Sequence, residues 1–455
     1  MSEKDQPNDS FDNKIYDTEL LENFNRPNNI TYTNFLIIWI GQLVSLLGSE
    51  IVQFAIIWWV TLETENPTIL SLNVFFAFLP RIFLAPLAGV IADRKDRKKI
   101  LMITDGTQAI ITGGIILIFF VSEMKIWIII GMNLLRSVCQ TFHSPASSSI
   151  RPLMIPKELL SRMNGLSQLA SSVIMTLGPI FGALFLSFLT IQEILWIDIL
   201  TFGIALVCLL RVPIPKIKPT QAAKNTQNAM HNQPSNSLKP KGHRFLQEFK
   251  EGLHTIFRIR GLTPIIGIVI LANFFLTPLT TLFTFFIQND HQGNALQYAL
   301  VAGCFQSGMI FGGILVSLKK EWQNKIRGII FGIFLIFFGI TAIGLIPKGM
   351  FGLLAIVSFV ATLGSPLMHS LLMTLIQTSV PPEKMGRVFS NLNMISSLIM
   401  PIGMLSSGPL AEILGTGTLI SLGGVLGMIT VGLIYYLSDL HLLNDETFGN
   451  TTIRF

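Results

Sequence analysis

Charge is scarce in this chain. Asp, Glu, Lys and Arg make up 13% of its 455 residues while half of all residues are hydrophobic, and a soluble domain carries about 25% charged residues. That shortage excludes an ordinary soluble enzyme. Cysteine is nearly missing too: Cys139, Cys208 and Cys304 all fall inside apolar runs, which supplies neither a disulfide framework nor metal-ligand spacing. No GxxxxGK[ST] phosphate loop occurs, which argues against ATP-driven work within the chain. No nucleophile, base and orienting group stand together, so nothing marks an enzyme, a cofactor or a metal site. The first thirty residues are polar and rich in Asn and Asp, without the apolar core of a cleavable signal. The first apolar run is expected to act as its own insertion signal.

Long apolar runs are what the sequence has in plenty. Twelve are legible, at 33–62, 69–92, 99–121, 125–146, 162–189, 193–211, 262–287, 295–318, 328–346, 350–377, 387–412 and 417–438. A crossing needs roughly 20 apolar residues, and in lipid a backbone must satisfy its own hydrogen bonds, so each run predicts a helix. Placing the N-terminus inside puts 28 of the 32 Lys and Arg on the inner side. Lys125 and Lys348 are left in outer loops, and Arg81 and Arg136 within spans. That bias obeys the positive-inside rule and predicts a multi-pass cell-membrane protein with both termini cytoplasmic.

The fold class expected is all-α membrane: twelve transmembrane helices in two pseudo-symmetric six-helix bundles. The divisions are a polar tail at 1–32, a first bundle at 33–211, a linker at 212–261, a second bundle at 262–438 and a tail at 439–455. The linker begins Gln/Asn/Lys/Pro-rich, a flexible composition. It ends in a basic amphipathic piece, HRFLQEFKEGLHTIFRIRG, expected to lie as a helix on the membrane surface. The net charge of +6 resides in these loops and calls for no nucleic-acid partner.

A weak internal repeat supports the two halves. Ile155-Pro-Lys-Glu158-Leu-Leu-Ser-Arg162 matches Val380-Pro-Pro-Glu383-Lys-Met-Gly-Arg387, with Pro, Glu and Arg at the same spacing. Ser144-Pro145 precedes the first copy and Ser365-Pro366 the second. Pro179 and Pro401 follow them. Duplicated halves place a substrate site at their interface near the bilayer midplane.

The loop after the second span reads Gly89-Val-Ile-Ala-Asp93-Arg94-Lys95-Asp96-Arg97-Lys98-Lys99. Gly89 permits close helix packing. Asp93 can face the positive N-terminus of a helix starting on the same side, such as the eleventh. Arg94, Arg97 and Lys98 can lock ion pairs that must break when the protein opens inward. A basic turn obeying positive-inside accounts for Arg97 to Lys99 alone. This loop resembles the G-x-x-x-D-R-x-G-R-R/K loop of the major facilitator superfamily, with Asp96 where a second Gly is usual. Gly178-Pro179-Ile-Phe-Gly182-Ala183 resembles the second part of that superfamily's antiporter motif, with Ile174 and Ala183 at glycine positions, and this favours export. Pro179 would kink its helix and Gly182 would permit close contact. Through LPRIFLAPLAGVIADRKDRKKILMITD and LWIDILTFGIAL the chain is similar to the macrolide-efflux branch.

Charges inside spans are retained only where buried and useful. Glu50 lies about 25 Å along the first helix, near Arg136 of the fourth. It is either a proton carrier balanced between burial and a neighbouring Arg, or a glutamate bonded to Gln53 or Gln42, or one near the outer surface. Arg81 either meets an anionic substrate or pairs with an acid. Asp105 is expected to pair with the inner-loop arginines, and Asp198 to cap or pair. His369 is either a core histidine bonded to backbone or a substrate contact. The aromatics, 34 of them Phe, are either lipid-facing or the lining of a cavity for bulky amphipathic compounds.

The expected function is secondary export of a hydrophobic or amphipathic, macrolide-like molecule by proton antiport, the partners being that molecule, protons and membrane lipids around a monomer. Export of an endogenous metabolite such as a siderophore or lipid fits the same residues. A non-transporting receptor or scaffold is the reading of another class.

Overall fold

The computed structural model describes residues 29–121, 123–214, 254, 256, 257, 259, 261–319, 322, 324–438 and 440. Most of the N-terminal tail, most of the linker with its expected amphipathic helix, and nearly all of the C-terminal tail lie outside the described residues. Within them the chain forms twelve long helices: α1 (Asn29–Thr64), α2 (Pro67–Arg94), α3 (Arg97–Val121), α4 (Ile126–Met154), α5 (Lys157–Leu186), α6 (Ile191–Arg211), α7 (Leu262–Phe285, continued by a π turn over Phe286–Asp290), α8 (Ala295–Leu318), α9 (Lys325–Leu345), α10 (Phe351–Ser379), α11 (Pro382–Leu414) and α12 (Thr416–Leu437). Each of the twelve expected apolar runs overlaps one of these helices.

Several helices outrun the apolar segments that announced them. The fourth, expected to end at 146, continues to Met154, and α5 begins at Lys157 rather than 162. An apolar run stops where hydrocarbon stops, but the helix continues into water, and there Lys157, Glu158 and Glu383 are exposed. Eleven of the twelve helices are long and apolar enough to cross a membrane. The exception is α4, which places Asn133, Arg136, Ser137, Gln140 and His143 along one stripe at helical spacing. Asn133, Arg136 and Ser137 are buried, so the stripe faces protein rather than lipid.

The packing is the same in both halves. In the first, α1 packs on α5 and α6, α2 on α4, and α3 on α4 and α6; in the second, α7 packs on α11 and α12, α8 on α10, and α9 on α10 and α12. Each pair maps onto its counterpart six helices later. The turns that carry the sequence repeat agree in detail. The Ile155 N–H donates to the Arg151 carbonyl and the Val380 N–H to the Ile376 carbonyl, each at 3.0 Å. The helices that follow are entered through Pro156 at φ −55°, ψ 143° and Pro381 at φ −54°, ψ 139°. A proline there fixes φ and stops the preceding helix.

The halves meet chiefly through α2 against α11 and α5 against α8, and these seams are closed at one end. Leu70 and Ile115 share an apolar cluster with Leu282, Ala411 and Leu419, and Phe54, Trp58 and Ala183 share another with Ala295 and Ala299. All these residues lie toward the end where α1 turns into α2. At the opposite end, marked by the 94–97 loop, the cluster containing Ala92, Ile150 and Met154 draws on the first half alone. Among the described residues the protein is therefore sealed at one end and open at the other.

Candidate functional site

A cavity of about 420 Å³ lies at the seam, lined by Ser49, Glu50 and Gln53 of α1, Phe78 and Arg81 of α2, Gln108 of α3, Arg136 and Gln140 of α4, Met175 of α5 and Met404 of α11. Its polar residues come from the first half. Glu50 is half-buried, and the two cations whose charges act on it are Arg81 and Arg136. The helix motif on α5 meets the same residue. A Cβ on Gly178 would fall on the Cβ of Glu50, and one on Gly182 would lie 2.9 Å from the Ile51 carbonyl oxygen. These glycines let α5 approach α1 to backbone contact, with Pro179 between them.

Arg136 is held by a partner on another helix. Its guanidinium forms a 2.9 Å ion pair with the Asp198 carboxylate of α6, and Asp198 is fully buried. Thr112 donates to the same carboxylate at 2.9 Å and Ser49 to its other oxygen at 3.2 Å. Arg136 also donates to the Thr112 hydroxyl at 3.1 Å. Four helices thus converge on one buried pair, which satisfies the hydrogen-bonding capacity that makes such a charge tolerable in hydrocarbon.

Asp105 departs from expectation. It does not join the inner-loop arginines but stands among α1, α3 and α4, where His143 approaches one oxygen at 3.2 Å and Gln42 donates to the other at 3.0 Å. Its helix turns it toward the bundle rather than toward the loop. Sequence reasoning passed over His143, Gln108 and Gln140. For His143 and Gln140 the available signal was the polar stripe on α4, which a search for isolated charges does not weigh; Gln108 stands on α3, three residues from Asp105.

The loop between α2 and α3 lies at the open end. Asp93 and Arg94 are exposed, and nothing lies within 4 Å of a Cβ placed on Gly89. Asp93 makes no hydrogen bond or ion pair among the described residues. Arg97 and Lys98 are half-buried; Lys98 reaches across to the carbonyls of Leu210 and Val212 at 3.3 and 2.7 Å, tying the loop to the end of α6. The close packing expected at Gly89 is absent, since no atom stands where it would meet a side chain there. His369 is exposed on α10, away from the cavity that gathers Glu50, Arg81 and Arg136.

A smaller cavity of about 190 Å³ sits across the seam near the sealed end, lined by Thr176 and Pro179, by Thr280 and Phe283, and by Tyr298, Phe305 and Gln306. Phe54 and Tyr298 rings lie 4.8 Å apart and Phe283 and Tyr298 rings 5.4 Å apart. Phe283 and Phe305 are therefore cavity residues, whereas Phe285 and Phe286 are core.

Twelve helices in two equivalent halves, closed at one end over a polar cavity, define a membrane transporter. The chain belongs to the Major Facilitator Superfamily, which matches it over residues 38–404. It is 31% identical to macrolide efflux protein A of Streptococcus pyogenes over 392 residues, 86% of this chain and 93% of that one. It is equally 31% identical to macrolide efflux protein A of Enterococcus faecalis over 336 residues, 74% of this chain and 98% of that one. A solved bacterial homologue of the human lysosomal transporter Spinster, inward-facing and unoccupied, aligns with a TM-score of 0.59 at 15% identity, covering 92% of this chain and 98% of that one. That likeness shows the fold.

Proposed function

We propose that the protein exports a hydrophobic or amphipathic, macrolide-like small molecule across the cell membrane in exchange for protons, and that both termini are cytoplasmic. The positive-inside bias then makes the open end cytoplasmic, so the cavity stands ready to load from inside. The observation that carries the reading is Glu50, set in the seam cavity opposite Arg81 and Arg136 and contacted by the α5 glycine motif. A carboxylate so placed gains and loses a proton as its cations and its hydration change, and α5 couples it to the other half through α8. Similarity to efflux proteins supports the direction, and the aromatic lining of the smaller seam cavity offers apolar ring faces to a hydrophobic group of the ligand. Each proton moving down 100 mV supplies about 2.3 kcal/mol, enough to drive uphill export.

The test is efflux of erythromycin and ethidium from cells expressing the protein. A protonophore should abolish both, and Glu50→Gln should slow them at least about tenfold, a barrier change near 1.4 kcal/mol. Wild-type efflux that persists with the protonophore would remove proton exchange, and an absence of any flux would remove export.

A further inference from the structure

We propose that Gln42, Asp105 and His143 form a second proton-binding site, separate from Glu50, whose acceptor is Nδ1 of His143. This deepens the antiport reading and rests on it for its role in the cycle, though not for its chemistry. The three side chains come from α1, α3 and α4 and close on one another. His143 Nε2 lies 2.8 Å from the Gln42 amide oxygen and 3.2 Å from Asp105 Oδ1, while the Gln42 amide nitrogen donates to Asp105 Oδ2 at 3.0 Å. Nε2 thus faces two acceptors, and a nitrogen facing acceptors must carry hydrogen. In the neutral ring the lone pair is then on Nδ1. That atom has no partner among the described residues and is not sealed from solvent, whereas Asp105 is buried with 2% exposure.

The charges of the first half call for one more proton. Arg136 is matched by Asp198 and, with Glu50 ionised, Arg81 is matched by Glu50. Asp105 is matched only if His143 becomes imidazolium, and an unmatched carboxylate in hydrocarbon is expensive. A proton transferred from hydronium in the open crevice to the Nδ1 lone pair leaves water behind and creates an ion pair with both oxygens of Asp105 still bonded. No other bond changes. Other groups facing the cluster are few. Cys139 and Arg136 lie one and two turns along α4, Glu50 lies about two turns beyond Gln42 on α1, and Arg81 of α2 stands across the cavity; the charged residues of α5, Lys157, Glu158 and Arg162, sit at its loop end.

The site is also connected to Glu50. Gln108 and Gln140 are each three residues, about 4.5 Å of helix rise, from Asp105 and His143, and both line the cavity that holds Glu50. Amides at these positions can hold water between Glu50 and His143. A proton released from Glu50 therefore has a polar route to His143, on the side of the cavity nearer the open end.

The full-length transporter in lipid nanodiscs, stepped between about pH 5 and 8 where histidine titrates, is read by infrared difference spectroscopy. Wild type minus His143→Gln should isolate one imidazole transition accompanied by a carboxylate change. Asp105→Asn, which leaves the ring without a counter-charge, should abolish both over that range and serves alone if His143→Gln does not assemble. In proteoliposomes, His143→Gln should keep ethidium exchange at equal pH within about twofold while gradient-driven accumulation falls at least about tenfold. Spectra unchanged by either substitution overturn the site, as does full gradient-driven accumulation in His143→Gln. A wild type indifferent to the pH gradient would instead overturn the antiport reading and leave the spectroscopic result standing.

Discussion

Arg136 sits near the middle of a membrane helix with its charge answered by a single fully buried carboxylate, Asp198, and by hydroxyls that leave that carboxylate no idle oxygen. Breaking such a pair leaves one charge stranded, at a cost of about 3–5 kcal/mol. Asp198→Asn should therefore lower the thermal midpoint of the detergent-solubilised protein sharply, whereas joint replacement by Arg136→Met and Asp198→Leu should restore much of the loss. An Asp198→Asn protein as stable as the wild type would mean the pair carries no structural load. Both residues stood out in the sequence as charges inside apolar runs, but their pairing did not, because 62 positions of chain separate them and only the packing of α4 and α6 on α3 brings them together. His143 was harder still, since a histidine among serines and threonines looks unremarkable until Asp105 is seen beside it.

At the scale of the helix, α5 is docked by its missing side chains. Gly178 and Gly182 are four residues apart on one face, with Glu50 and Phe54 of α1 filling the space that Cβ atoms would take. Gly182→Ala would place its methyl 2.8 Å from the Phe54 ring, and overpacking of this kind costs about 1–3 kcal/mol. Gly165 lies on the same helix with nothing within 4 Å, so Gly165→Ala should cost nothing and stabilise the helix by up to about 1 kcal/mol. Thermal unfolding and transport measured together should separate the two, with Gly178→Ala slowing transport most because it displaces Glu50. Equal behaviour at all three glycines would deny α5 its docking role. Helix positions were legible from apolar length, and the repeat from Pro, Glu and Arg at fixed spacing. Helix ends were not, since the signal used was hydrophobicity: the first turns of α5 and α11 carry exposed charges, and the last turns of α4 carry Arg151 and Pro152 among buried apolar residues.

For the whole molecule, the two ends of the α2–α11 seam are in opposite states. At the sealed end a Cβ on Gly408 would lie 2.7 Å from the Pro67 carbonyl oxygen, while at the other end Gly89 faces open space. If the halves move as rigid bodies about the cavity, wedging one end apart must bring the other together. Gly408→Trp supplies such a wedge. In a background with Cys139→Ser, Cys208→Ser and Cys304→Ser, Gly89→Cys should react readily with a maleimide presented from the cytoplasmic side, and poorly with one from outside. Adding Gly408→Trp should slow that reaction about tenfold, a population shift near 1.4 kcal/mol. Reaction from the outer face would invert the proposed orientation. An unchanged rate beside a demonstrably opened outer end would mean that the halves flex independently, and then proton binding at one depth of the first half could not be transmitted to the seam as a whole.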